Sequence, residues 1–297
     1  MTLAPDVKAQ VRAFYDSVGW RQVGEGAYQN ARYEDLRPVS REYIHRCHLR
    51  VARHLPAQGD RMLDAGSGPI QYPEYLEYSR GYRRRVCLDL SRQALIEARQ
   101  RIGDHGRFAV GDIAALPFAH GVFDGVVSLH TVHHLPEQEQ PAAFAEMVRV
   151  LGQGGRGVAV YSWGGRSPLM RLMRIPIAVA FRLIRAYRRL RFGSPDAPGG
   201  DVPETAAPTG TYTHNTSYRE LRSLIGFVPG LDIRVWRTVS TSFLRALIHR
   251  RLAGAFWLRR LYGLEERFPH AFGRLGQYAM ILFARPVAGS VADERTT

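Results

Sequence analysis

The residues with the clearest potential for chemistry begin at Leu63-Asp64-Ala65-Gly66-Ser67-Gly68-Pro69. A short apolar run, Met62-Leu63, ends at a carboxylate, and two glycines one residue apart follow it. Glycine there opens a tight turn and lets a ligand approach backbone that a Cβ would block. A dinucleotide fingerprint wants a third glycine where this chain has Gln71. In its place the carboxylate of Asp64 stands two residues before the first glycine. It would repel a pyrophosphate and suits a ligand with a positive centre. Asp89 lies 21 positions beyond Gly68, a spacing that fits a carboxylate accepting both ribose hydroxyls. Asp112 offers a polar contact to an adenine amine, and Ile113 an apolar wall against its ring. Each element alone is an ordinary turn or helix cap. In this order they describe a site for an adenosyl ligand such as S-adenosylmethionine, which carries an ammonium and a sulfonium and no phosphate.

A second group is Leu129-His130-Thr131-Val132-His133-His134-Leu135-Pro136. His133 or His134 could serve as a general base, since imidazole titrates near neutrality. The three histidines could instead bind a divalent metal, or simply pack and hydrogen-bond at a turn; no metal is expected. The N-terminal segment adds Phe14-Tyr15-Asp16, Trp20, Tyr28 and Tyr33. These aromatics are the packing face of a cap helix, a lid over the ligand, or both, with Tyr15 the candidate for a ligand contact.

The elements that must hold these residues alternate. Short apolar runs end at Asp64, Asp89 and Asp112, and two more span Phe123–Leu129 and Gly157–Tyr161. Helical stretches at Tyr72–Ser79, Arg92–Ile102 and Pro141–Leu151 separate them, with Ser91 as a candidate N-cap. Strands alternating with helices mean βαβ units and a parallel sheet. Ligands bind such a sheet beyond the carboxyl ends of its strands, where the acids named above stand. Ser217–Ile225 continues the pattern as a helix, and Leu231–Val239 and Gln277–Ala284 as the last strands.

Here the sequence resembles class I S-adenosylmethionine-dependent methyltransferases, especially the branch that methylates small molecules and quinones. The resemblance rests on Asp64–Gly68, Cys87–Ser91, Gly111–Phe118, Phe123–Ser128 and Arg149-Val150-Leu151 before Gly154-Gly155. It covers residues 60–161, and the Ser217–Val239 stretch more loosely. It implies a Rossmann-like, doubly wound α/β fold with seven mostly parallel strands, the last antiparallel. It further implies that Asp64, Ala65, Gly66, Ser67 and Gly68 hold the methionine part of the cofactor, and Asp89 with Leu90 the ribose. Asp112 and Ile113 would hold the adenine, with Leu129 and Tyr15 adding contacts. Ile70 departs from the pattern, standing where many relatives have a third glycine, so a slightly altered turn is expected there.

The chain has 297 residues and 45% hydrophobic content, enough for one large domain with insertions. The expected organisation is a helical cap over 1–56 and a methyltransferase domain over 57–286. Basic insertions fall at 163–217 and 240–275, and 287–297 is expected to be a disordered tail. The net charge of +14 is carried almost wholly by arginine, with Lys8 as the single lysine. Segment 168–192 has no acid. Arg171, Arg174, Arg182, Arg185 and Arg189 fall on one side of a helical wheel, and Leu172, Val179, Leu183, Tyr187 and Leu190 on the other. Pro176 would kink or interrupt that helix. Segment 243–262 is similar. The pattern fits a helix on an anionic membrane surface, or a solvated face over a packed helix. Nucleic acid is a weaker expectation, because no recognised RNA module accompanies the charge. Cys47 and Cys87 make no disulfide framework, and no run is long and apolar enough to span a bilayer. The expected location is the cytoplasm, with peripheral contact at the inner membrane face. The function expected is methyl transfer to a small, apolar or lipid-like acceptor. The alternatives are a cofactor-binding protein of this fold without catalysis, and a nicotinamide-dependent oxidoreductase, against which Gln71 and Asp64 argue.

Overall fold

The structure, a computed structural model, describes residues 7–16, 34–192 and 211–287. Trp20, Tyr28, Tyr33 and the tail from residue 288 onward lie outside the described residues. Seven strands run in chain order: β1 (Gly59–Ala65), β2 (Tyr82–Asp89), β3 (Gly106–Val110), β4 (Phe123–Leu129), β5 (Leu151–Ser162), β6 (Asp232–Arg237) and β7 (Tyr278–Ala284). The helices are α1 (Val7–Phe14), α2 (Pro38–Arg50), α3 (Arg92–Ile102), α4 (Gln140–Val150), α5 (Pro168–Leu172), α6 (Arg174–Phe192), α7 (Tyr218–Leu224), α8 (Thr241–Leu247), α9 (Gly254–Arg267) and α10 (Pro269–Leu275).

The strands form one sheet in the order β3-β2-β1-β4-β5-β7-β6. The pairs from β3 to β5 are parallel, and β7 runs antiparallel to both β5 and β6. Side chains alternate across the sheet. Met62 and Cys87 therefore enter the layer beneath α3 and residues 73–79, with Leu95, Tyr75 and Trp236. Leu63 and Leu88 enter the opposite layer, with Phe144 of α4 and Leu221 of α7. The strand order reverses between β1 and β4. That switch point leaves a crevice at the strands' carboxyl ends.

Local chemistry explains several boundaries. The Ser91 hydroxyl accepts the Ala94 N–H at 3.1 Å and starts α3. Ser217 and Glu220 form a reciprocal capping box at α7. Two boundaries depart from expectation. Residues 73–79 form a 3-10 helix rather than an α-helix, and β5 starts at Leu151, directly after α4. As expected, the segment is interrupted ahead of Pro176: α5 ends at Leu172, four residues before the proline, and Pro176 falls in the first turn of α6, where no intrahelical N–H is needed.

The cap and the second insertion share a third cluster. Tyr43, Ile44 and Cys47 of α2 pack against Leu244, Ile248, Leu258 and Tyr262. Glu265, fully buried in α9, binds that cluster together. It accepts from the Tyr43 hydroxyl at 2.6 Å, Arg50 at 3.0 Å and the Thr238 N–H at 3.0 Å.

Candidate active site

A cavity of about 460 Å³ opens at the switch point. It lies beyond the ends of β1, β2, β4, β5 and β6, reaching Gly66, Asp89, Leu129, Ser162 and Arg237. Its volume falls within the range of small-molecule sites. Gly66, Ser67, Gly68, Asp89, Leu90, Asp112, Ile113, Leu129, Tyr15, His133 and His134 all line it. Asp64 and Ala65 do not.

The glycine loop is built as its chemistry demands. Gly66 and Gly68 have φ of 78° and 53°. A Cβ on Gly66 would come within 2.3 Å of Thr131. The Asp89 carboxylate braces the loop, accepting the Gly68 and Ser91 N–H groups, each at 2.8 Å. One bond falls on each oxygen, so each keeps a further lone pair. Burial pushes the Asp89 carboxyl up to about 6. Ile70, the departure noted in the sequence, takes φ 55°, so the chain makes a left-handed turn there without a glycine. A β-branched residue is strained there. Full burial of its side chain beside Tyr75 and Leu95 offsets that strain.

Asp64 plays a different part from the one its position implied. The Arg85 guanidinium, fully buried on β2, is ion-paired with it, with Nε at 3.1 Å. Arg85 also donates to the Tyr75 carbonyl at 2.6 Å. Asp64 thus anchors the residues 73–79 turn beneath the loop, and its charge is already answered.

α1 crosses the cavity mouth, contributing Lys8, Val11, Arg12 and Phe14 to its lining. Lys8 is ion-paired with Asp112 and with Glu139. Asp16 accepts the Ser91 hydroxyl. Tyr15 meets His134 Nε2 at 2.9 Å, while His134 Nδ1 lies 2.8 Å from the Tyr212 carbonyl. A carbonyl only accepts, so Nδ1 donates to it. Nε2 of the neutral ring then accepts the Tyr15 hydroxyl proton. Burial lowers the His134 pKa, consistent with that neutral form. His134 is therefore occupied at both nitrogens as a latch for the N-terminal segment.

The far end of the cavity is walled by aromatic rings. His130 packs edge-on to Trp236 and Tyr278, with centroids 4.8 and 5.5 Å apart. Its backbone is strained at φ 56°, as happens where a site over-determines its geometry. Burial, helped by Arg237 nearby, pushes the His130 imidazole down to about 3. Burial likewise takes His133 well below its ordinary value, helped by its two histidine neighbours. His133 Nδ1 has no partner among the described residues. Neither ring carries charge near neutrality. Among the described residues no group of three or more His, Cys, Asp or Glu side chains is placed to hold a metal.

Glu34, Trp236 and Arg237 also line this end and were not anticipated. Glu34 and Arg237 form a buried ion pair, and Glu34 also meets His48 at 3.3 Å. Burial works against the Glu34 carboxylate, but Arg237 and His48 outweigh it and hold it at about 2. Arg237 did not stand out in the sequence, because β6 also carries Asp232 and Arg234.

Comparison with known proteins agrees with this architecture. Residues 63–159 match the family described as a methyltransferase domain. Over 108 residues the chain is 33% identical to the ubiquinone/menaquinone biosynthesis C-methyltransferase UbiE of Cereibacter sphaeroides, covering 34% of this chain and 42% of that protein. It is 27% identical over 146 residues to the tRNA (carboxymethyluridine(34)-5-O)-methyltransferase alkbh8 of Xenopus tropicalis, covering 42% of this chain and 22% of that protein. The matched stretch thus spans less than half the length of either relative. Among solved structures, geranyl diphosphate C-methyltransferase of Streptomyces coelicolor A3(2) aligns over 95% of this chain and 99% of its own. The TM-score is 0.50 at 18% identity, a likeness of fold. Residues 63–159 thus match a methyltransferase domain, and the seven-stranded sheet that carries them shares the fold of that solved structure.

Proposed function

We propose that the protein transfers a methyl group from S-adenosylmethionine to a small, apolar, lipid-like acceptor. The observation that carries the proposal is the single cavity with two chemically distinct ends. One end has the Gly66–Gly68 turn, the Asp89 carboxylate with a free lone pair on each oxygen, and Asp112 beside Ile113. That donor and acceptor set fits an adenosyl group: Asp89 for the ribose hydroxyls, Asp112 and Ile113 for the adenine, and the glycine backbone for the amino-acid part. When bound, S-adenosylmethionine supplies a methyl group activated on a sulfonium. The other end is walled by Tyr72, His130, Trp236 and Tyr278, which suits an apolar molecule. α1 adds Lys8, Val11, Arg12 and Phe14 to the lining of the same cavity. Methyl transfer demands little beyond alignment of acceptor, methyl and sulfur. Neutral, buried histidines are therefore compatible with catalysis, as positioning walls rather than proton carriers.

The first insertion supports a lipid source for the acceptor. Within α6, Ile177, Phe181 and Ile184 are half-buried, and the helix packs on α8. A second apolar stripe points outward. It comprises Leu172, Ile175, Val179, Leu183, Tyr187 and Leu190, with Leu183 65% and Leu190 89% exposed. The arginine stripe runs beside it. No helix among the described residues is long and apolar enough to cross a membrane.

The test is transfer of labelled methyl from S-adenosylmethionine by purified protein into a membrane-lipid extract and into a water-soluble metabolite extract. Label in the lipid fraction is the expected result. Label only in the aqueous fraction overturns the lipid-like acceptor. Tight cofactor binding with label in neither makes the chain a cofactor-binding protein without transfer.

A further inference from the structure

His48, on α2, is buried behind the far wall of the cavity. Its ring stacks on Trp236, with centroids 5.5 Å and planes 16° apart, and lies 4.6 Å from the Tyr72 ring. Trp236 and Tyr72 both line the cavity, so part of that wall leans on His48. The Tyr78 hydroxyl donates to the His48 carbonyl at 2.7 Å and fixes the backbone that carries the ring.

Each ring nitrogen faces a carboxylate. Nε2 lies 3.3 Å from Glu34 Oε2, and Nδ1 lies at an ion-pair separation of 3.5 Å from Glu74 Oε2. Burial works against both acids. Arg237 and His48 nonetheless hold Glu34 at about 2, and His48 with His45 holds Glu74 at about 2. An ionised carboxylate only accepts, and only the imidazolium carries an N–H on both ring nitrogens. A neutral ring would turn a bare nitrogen towards one of the two acids.

Charge balance gives the same result. Glu34 and Glu74 are two negative charges, and Arg237 and His48 are two positive ones, so the group is neutral only while His48 keeps its proton. The other groups around the ring leave that balance intact. Burial pushes the Tyr72, Tyr75 and Tyr78 phenols and the Cys47 thiol up, so all four are uncharged. His130, on the other side of Trp236, is neutral, and Arg50 is answered by Glu265 and Glu266. His45 meets the outer oxygen of Glu74 at 2.6 Å, with its own ring exposed to water. Burial opposes a charge on His48, but Glu34 and Glu74 outweigh it and raise its pKa above the ordinary value.

We propose that His48, as an imidazolium, is a positioning residue that holds Glu34, Trp236 and Tyr72 in place at the far end of the cavity, and that loss of its proton loosens this wall. That coupling belongs to the wall and does not depend on methyl transfer. Because the folded value is raised, the stabilisation from the charged ring is complete below the ordinary imidazole value of about 6.5 and is lost as pH rises through the folded value.

The test is an NMR titration of the full chain with labelled histidine, run beside acrylamide quenching of tryptophan fluorescence. Trp236→Phe supplies the background of the other three tryptophans. His48 is expected to titrate above the ordinary imidazole value, and Trp236 to become severalfold more accessible to acrylamide over the same pH range. Glu74→Gln keeps every wall residue and removes one carboxylate, so both midpoints should fall together by about one pH unit or more. If that variant does not fold, the coincidence of the two midpoints in the parent decides. A His48 that titrates at or below the ordinary value, or that keeps its proton until the chain unfolds, overturns the proposal. So does a His48 that loses its proton with no gain in acrylamide access, or a Glu74→Gln protein in which neither midpoint moves.

Discussion

At the scale of the residue, Asp89 has the most exposed consequences. It is half-buried, raised to about 6, and already holds the glycine loop by two N–H bonds. A ligand whose hydroxyls donate to it favours the ionised form. Cofactor affinity should therefore rise with pH through about 6 and level off above it. Asp89→Asn should flatten that rise, which titration calorimetry between pH 5 and pH 8 would show. Asp89→Ala removes the loop brace and would remove both proposed ribose contacts. Charge-assisted bonds contribute roughly 1.5–3 kcal/mol each, so affinity should fall at least about tenfold. An unchanged dissociation constant would remove Asp89 from the site. His134 makes the opposite kind of case. Because both its nitrogens are engaged, His134→Ala should weaken cofactor binding and turnover by similar factors. A general base would instead lose on the order of 10²–10⁴ in turnover with binding intact.

At the scale of the element, the sequence showed what is local and hid what is distant. Ser91 and Ser217 announced their helices because capping depends on residues two or three positions away. The strand ends at Asp64, Asp89 and Leu129 were visible because apolar runs stop there. The partner of Asp64 was not visible. Arg85 sits on the neighbouring parallel strand, and nothing in either strand's pattern pairs a carboxylate with an arginine 21 residues on. Glu34 and Arg237 are 203 residues apart, and the register slip between Val235 and Arg237 leaves no periodic trace. The N-terminal aromatics were read as a lid or as the packing face of a cap helix, and the contacts that hold α1 were not foreseen. Lys8 bridges α1 to Asp112 and Glu139, and Tyr15 and Asp16 bind it to His134 and Ser91. Lys8→Ala should loosen α1. Amide hydrogen exchange across residues 7–16 should speed up, and S-adenosylhomocysteine should dissociate several times faster. The same release rate in parent and variant would mean that α1 does not close the site.

At the scale of the whole molecule, the two insertions leave the sheet from the ends of β5 and β6, the strands that deliver Ser162 and Arg237 to the cavity. α6 follows the first and packs on α8, which follows the second. The surface they build is basic, and on α6 it is apolar as well. Beyond α6, Leu252, Phe256 and Trp257 are exposed beside Arg250, Arg251, Arg259 and Arg260. An arginine stripe alone would be a solvated face. An exposed apolar stripe alone would be an aggregation hazard. Side by side on one helix without acid, they match a surface that meets phosphate headgroups and acyl chains together. Each basic residue near an anionic surface contributes on the order of 1 kcal/mol, and that part is screened by salt. The protein should therefore sediment with vesicles containing phosphatidylserine and much less with phosphatidylcholine alone, with binding reduced but not abolished at high salt. Arg182→Glu with Arg185→Glu should lower binding at least tenfold. The pair lies in an insertion distant in sequence from the glycine loop, so S-adenosylhomocysteine affinity should be retained. Leu183→Ser with Leu190→Ser should remove the salt-resistant remainder. If anionic and neutral vesicles carry down the same amount of protein, α6 is not a lipid-docking helix.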